Sequence, residues 1–186
     1  MRLIITRHGE TEENKKKILQ GHMPGTLSEE GISQAKKLAL RLKPMKIDCI
    51  YSSDLARAAD TAREIRKFHP DSPLVYTEAL REKDLGPYTG RPWKDCDWDN
   101  PPVEVETGAS VQVRVKKLLD SIYDQHKDET VLFVCHAGVK GNILRVIFND
   151  PDKKIATPGN TAVTIIDFDE GRNHQVHVLN CTGHLD

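Results

Sequence analysis

Arginines and histidines at three separated places, Arg7-His8, Arg57 and His136, give this sequence a chemistry to offer. A guanidinium fork binds phosphate oxygens two at a time and stays charged at any working pH. An imidazole serves as a nucleophile, a base or a donor to phosphate. Phosphoryl transfer needs an in-line nucleophile and positive charge on the equatorial oxygens. His8 flanked by Arg7, Arg57 and His136 supplies both without a metal, and its cationic neighbours are expected to hold the ring neutral. Singly, a histidine at a strand end is more often a hydrogen-bonded structural residue, and Arg57 reads equally as a solvated helix residue. The grouping favours chemistry, as does Gly9, which permits close backbone approach to a ligand.

These residues act together only if the fold delivers them to one edge. Leu3-Ile4-Ile5 reads as a strand ending in Thr-Arg-His-Gly. Ser28 is placed to cap a helix with Glu29 and Glu30 in its first turn and Ile32, Ala35, Leu38, Ala39 and Leu42 on one face. Cys49 to Ser53 is a second strand, and Asp54 is expected to cap a helix turning Ala58, Ala62, Ile65 and Phe68 inward. Leu74-Val75-Tyr76 is a third strand. Residues 81–109, rich in Gly, Pro, Asp and Trp, form an irregular excursion of the kind that often carries function. Ser110 is expected to cap a helix with Val111, Val115, Leu118, Leu119 and Ile122 in register. Val131 to Cys135 is a strand apolar on both faces, followed by a helix carrying Val139, Ile143, Ile147 and Phe148. Ala162 to Phe168 and Gln175 to Leu179 form a hairpin. The pattern is α/β: a single three-layer domain over 1–186, with a mostly parallel central sheet, helices on both faces and an antiparallel C-terminal addition. In such folds ligands bind beyond the carboxyl ends of the strands. Arg7-His8, Ser53 to Arg57, and His136 all fall there.

Composition narrows the partners. The 186 residues hold 27 Lys+Arg and 28 Asp+Glu, a net charge of −1, which argues against a general nucleic-acid binder. No apolar run approaches the roughly 20 residues of a membrane span, and the N-terminal apolar stretch is too short for a signal peptide, so a cytoplasmic location is expected. Cys49, Cys96, Cys135 and Cys181 lie far apart and read as reduced thiols. His174, His177, Cys181 and His184 do not make a metal site, because alternate residues of a hairpin strand face opposite sides. No P-loop motif occurs. No cofactor, no metal, no nucleic acid and no membrane are expected as partners; the chain is expected as a monomer or homodimer.

The run Thr6-Arg7-His8-Gly9-Glu10-Thr11, followed by Asn14, resembles the signature of the histidine phosphatase superfamily, which includes the cofactor-dependent phosphoglycerate mutases. Four further blocks resemble the family in the same order: Leu19-Gln20-Gly21-His22 with Leu27 to Gly31, Ser52 to Ala58, Leu80-Arg81-Glu82, and Cys135 to Val139. The resemblance implies a phosphoglycerate-mutase-like fold and a metal-independent phosphomonoesterase whose ligand is a small phosphorylated metabolite. It implies His8 as the nucleophile forming phosphohistidine, Arg7, Arg57 and His136 as the phosphate clamp, and Glu82 as the acid that protonates the leaving oxygen and later activates water. Asn14, Gln20, Gly21 and Ala137 are implied as further phosphate contacts. The chain departs from the family pattern at Tyr88-Thr89-Gly90, at Ser28 and at Ala109, none of which touches the implied chemistry. A mutase is the chief alternative, disfavoured because only a short excursion separates Glu82 from His136. A non-catalytic phosphate-binding module is a second alternative, against which His8 and Glu82 both stand. A cysteine-dependent phosphatase is rejected, since position 141, where its arginine belongs, is Gly. Tyr88, Trp93, Lys94, His22 and Met23 are expected to form the leaving-group wall.

Overall fold

The computed structural model describes residues 1–186. Six strands form one sheet: β1 (Arg2–Arg7), β2 (Cys49–Ser52), β3 (Leu74–Tyr76), β4 (Thr130–Cys135), β5 (Val163–Phe168) and β6 (His174–Cys181). Their order is β3-β2-β4-β1-β5-β6. β3, β2, β4 and β1 run parallel, whereas β5 lies antiparallel to β1 and to β6. This is the expected architecture.

Side chains of successive strand residues face opposite sides, and two cores follow from that alternation. Leu3, Ile5, Val131 and Phe133 face one layer, packed by α4 (Gly108–Gln125) and α5 (Ala137–Ile147). Ile4, Ile50, Leu132 and Val134 face the other, packed by α2 (Glu29–Leu42) and α3 (Ala56–Arg66). A single turn, α1 (Glu12–Lys15), is closed by a reciprocal Thr11–Asn14 capping box.

Ser28 caps α2 as expected, accepting from the Gly31 N–H. Two other capping expectations are corrected. Asp54 does not cap α3; its carboxylate pairs with the Arg81 guanidinium, and the helix starts after Leu55. Thr107, not Ser110, caps α4, its hydroxyl accepting the Ser110 N–H at 3.1 Å. Ile32 and Phe68 are exposed: Ile32 sits in the first turn of its helix, and Phe68 lies past the end of α3.

Lys140, in the apolar face of α5, is fully buried and donates from Nζ to the Ala162 carbonyl at 2.8 Å. Burial pushes its pKa down from 10.5 to about 8. Between these values the unfolded chain still holds a proton that the folded chain has lost, so stability rises with pH there. At ~1.4 kcal/mol per pH unit the interval is worth about 3 kcal/mol. Compared with a Lys140→Met variant, the protein should therefore gain about that much between pH 7 and 10.5. Urea unfolding of both proteins across this range measures it, and a pH-independent difference would refute the assignment.

Candidate active site

Register brings the chemistry together. Arg7 pairs with Cys135 and Ser52 with Val134, so β1, β4 and β2 end in step. The backbone N–H groups of His8 and Ser53 carry the pairing one residue further, donating to Cys135 O at 2.9 Å and Val134 O at 3.0 Å. His8, Ser53 and His136 thus leave one edge of the sheet side by side.

His8 is 3% exposed, and its Nδ1 lies 2.6 Å from the Gly9 carbonyl oxygen. A carbonyl only accepts, so Nδ1 carries the proton and Nε2 keeps its lone pair. Burial, and then the Arg57 and Arg7 guanidiniums, hold the His8 pKa well below 6.5. The cationic neighbours act as expected, yet burial contributes more. The ring is neutral at pH 7, with Nε2 as its basic nitrogen.

His136 lies one layer deeper, its ring centroid 5.1 Å from that of His8. Burial is again the first cause, and Arg57 the second, of a pKa well below 6.5. Its Nε2 is 2.8 Å from Ser53 Oγ, which also accepts the Leu55 N–H. The fully buried Ser53 hydroxyl has His136 Nε2 as the acceptor for its own proton, since buried hydroxyls are rarely left unpaired. His136 Nδ1 must then bear the ring's hydrogen, and that N–H is buried without a partner. Ser53→Ala would free the tautomer. We expect kcat to fall about 10- to 100-fold, the size of losing a hydrogen bond to a site residue, and the His136 15N shifts to change from a protonated Nδ1 to a mixture. Unaltered shifts would show that Ser53 does not set the tautomer.

The arginines repeat this motif of the unpaired donor. Arg57 is 1% exposed, held from its first-turn position in α3 by the carbonyls of Met23 and Gly21, the latter at 2.9 Å. Burial pushes its pKa down to about 10, which still leaves it charged at pH 7. Arg7 donates from one terminal nitrogen to the Pro158 carbonyl at 2.9 Å. In both side chains Nε is buried without a partner. Gly21 sits at φ +46, where a Cβ would meet Thr89 Oγ1 at 2.8 Å, so glycine is needed for the carbonyl that orients Arg57. Asn14 Oδ1 accepts from the Thr11 N–H and from Asn160 Nδ2, which leaves its own amide NH2 for a ligand.

Glu82 reaches the first turn of α5. Its Oε1 accepts from the Lys83 and Val139 N–H groups at 2.9 and 3.0 Å, and Oε2 from the Gly138 N–H at 3.0 Å. A Cβ on Gly138 would stand 2.5 Å from Oε1. Two side chains secure the loop through the Glu82 carbonyl: His22 Nε2 at 2.8 Å and Arg114 at 3.3 Å. Arg114 is in turn paired with Glu106 at 3.0 Å.

The sequence profile described as "Histidine phosphatase superfamily (branch 1)" matches residues 3–182. The chain belongs to that superfamily. Similar to this histidine phosphatase are the "Probable phosphatase C1687.21" of Schizosaccharomyces pombe, 32% identical over 100% of this chain and 96% of that protein, and the "Phosphoserine phosphatase 1" of Hydrogenobacter thermophilus, 31% identical over 100% and 94%. Among solved structures, Bacillus stearothermophilus YhfR superposes with a TM-score of 0.91 at 31% identity, covering 100% of this chain and 99% of that one. The phosphoglycerate-mutase-like fold and phosphatase class expected from the sequence hold.

A cavity of about 640 Å³ opens over this edge of the histidine phosphatase. Arg7, His8, Asn14, Gln20, Gly21, Arg57, Glu82 and Ala137 all line it; His136 stands behind the wall. The expected leaving-group wall is only partly found. Trp93 lines the cavity, but Tyr88 is turned inward, its hydroxyl donating to Asp97 O, and Lys94 is exposed elsewhere. His22 is spent on the Glu82 carbonyl, and Met23 supplies a carbonyl to Arg57. The wall is completed instead by Lys17, Lys83, Trp98, Arg145 and residues 155–158. Those last residues belong to a segment whose Asn160 and Thr161 bind the His8 carbonyl at 3.1 and 3.3 Å. Nothing in the composition of 155–161 marks it as part of the site. No helix is long and apolar enough to cross a membrane. Of the C-terminal histidines, His177 pairs with Asp167 and His184 with Arg41 and Thr161.

Proposed function

We propose that this enzyme hydrolyses small phosphomonoesters without a metal, through a phosphohistidine on His8. The observation that carries the reading is the set of three buried nitrogens without partners, Arg7 Nε, Arg57 Nε and His136 Nδ1, the last a donor in the tautomer assigned above, grouped about a neutral histidine. Leaving a buried donor unpaired costs about 1–3 kcal/mol. Three such donors around one ring are accounted for by a ligand rich in acceptor oxygens, and a phosphoryl group has three. In this reading Arg7, Arg57, His136 and Asn14 hold the oxygens while His8 Nε2 attacks phosphorus in line. The bond from phosphorus to the ester oxygen breaks as the N–P bond forms, and Glu82 gives that oxygen its proton. Water then attacks phosphorus with Glu82 taking its proton, inorganic phosphate leaves and His8 is restored.

Hydrolysis is favoured over mutase transfer because water has a path to Glu82. The carboxylate forms part of the cavity wall, and Gly138 beside it is exposed. A panel of phosphorylated metabolites assayed with and without a chelator tests the proposal, together with trapping of labelled enzyme. Chelator-insensitive turnover with an acid-labile, alkali-stable adduct is expected. Chelator-sensitive turnover would favour a metal hydrolase, and a bisphosphate-primed transfer without release of phosphate would favour a mutase.

A further inference from the structure

We infer that the outer part of this cavity is a subsite for a leaving group that joins a planar ring to a second anionic group; the inference rests on the phosphatase reading above. Charge is the first argument. Beyond the two arginines assigned to phosphate, Lys17, Lys83 and Arg145 line the same cavity, and its only acidic lining residue is Glu82. They come from three separate segments: the turn after α1, the Glu82 loop and α5. Ion pairs are frequent elsewhere on this surface, as at Arg2–Asp167, Arg81–Asp54, Arg114–Glu106 and Arg172–Asp124. None of the three cavity cations is in one. Arg145 makes a hydrogen bond from Nε to the Lys153 carbonyl at 3.1 Å, which fixes its stem and leaves its charge uncompensated. A phosphomonoester neutralised by Arg7 and Arg57 leaves this outer field unanswered, and a second anion would answer it.

The ring is the second argument. Trp93 is 57% exposed, unusual for so large an aromatic, and it stacks on Trp98 with centroids 4.3 Å apart and planes at 25°. Trp98 is fixed in turn: its Nε1 donates to the Trp93 carbonyl at 3.3 Å, and it meets Tyr88 edge-on at 5.3 Å. Such a supported pair presents a rigid aromatic face at little entropic cost. Backbone bonds fasten it to the cationic segment, Trp93 N–H to Lys17 O at 3.1 Å and Gly90 N–H to Leu19 O at 2.7 Å. Aromatic face and ammonium therefore flank one space. Size agrees, because a cavity of about 640 Å³ is in the range that encloses ligands far larger than a three-carbon phosphate.

The test uses three esters with alkoxide leaving groups, so that leaving-group basicity stays nearly constant: cyclohexylmethyl, benzyl and 4-carboxybenzyl phosphate. With the wild-type enzyme kcat/KM should rise about fivefold from cyclohexylmethyl to benzyl, the scale of one aromatic contact. It should rise about tenfold more from benzyl to 4-carboxybenzyl, the scale of one charged hydrogen bond. Trp93→Ala should erase the first ratio, and Lys17→Ala, Lys83→Ala and Arg145→Ala combined the second. The second ratio should also shrink as salt is raised. Wild-type ratios near one, or ratios that persist in these variants, overturn the subsite while leaving the phosphatase reading intact. Absence of turnover on all three esters overturns the phosphatase reading, and the subsite with it.

Discussion

His8→Ala should lower kcat by about 10⁴-fold or more, because in the proposed mechanism it deletes the attacking atom, and the other neutral imidazole, His136, has its Nε2 engaged by Ser53. The protein should still fold. His8 follows the last residue of β1, and the hydrogen bond of its ring is to the adjacent Gly9 carbonyl rather than to another element. It should also still bind inorganic phosphate, since Arg7, Arg57 and His136 take their places from Pro158, Gly21, Met23 and Ser53 rather than from the His8 side chain. Loss of turnover with phosphate binding retained separates a missing nucleophile from a collapsed site. The wild-type enzyme quenched in alkali during turnover should carry label on His8, and the variant none. Turnover by the variant within tenfold of wild type would assign the attack to water and leave His8 as an ordinary phosphate ligand.

What the sequence disclosed, and what it withheld, divides along physical lines. The positions of the candidate site residues were legible because strands announce their own ends: a β-branched run stopping at Arg7-His8, and an apolar run stopping at Cys135-His136, must put those residues on one edge of a parallel sheet. Both cores follow from the same alternation. Helix starts were less legible where two capping residues competed. Asp54 had a cap available but found Arg81, 27 residues away, and a bidentate ion pair displaced a local hydrogen bond. The outer cavity was hardest to read. Lys17, Trp98 and residues 155–158 lie on irregular segments with no period to place them, and only backbone pairing such as Trp93 to Lys17 and Thr161 to His8 sets their positions. Lys140 was silent for another reason. Its polar head ends on the Ala162 carbonyl, a contact made by the turn entering β5 and invisible from α5 alone.

Glu82→Gln should divide the two half-reactions. Three backbone N–H groups converge on the carboxylate, from Lys83 and Val139 on Oε1 and from Gly138 on Oε2. A glutamine keeps one acceptor oxygen and turns its NH2 against a remaining N–H, so the side chain loses both its proton and its seat. On an alkyl phosphate the ester oxygen leaves poorly unless protonated, and kcat should fall about 10²- to 10⁴-fold, the range for a general acid. 4-Nitrophenyl phosphate needs no such help, because its leaving group is stable as the anion, and His8 should be phosphorylated at nearly the wild-type rate. Release of phosphate still needs a base for the attacking water. The variant should therefore show a burst of one nitrophenolate per active site, then slow turnover with phosphohistidine accumulated. Equal losses on both esters with no trapped adduct would mean that Glu82 only braces the first turn of α5, and that the proton reaches the ester oxygen by another route.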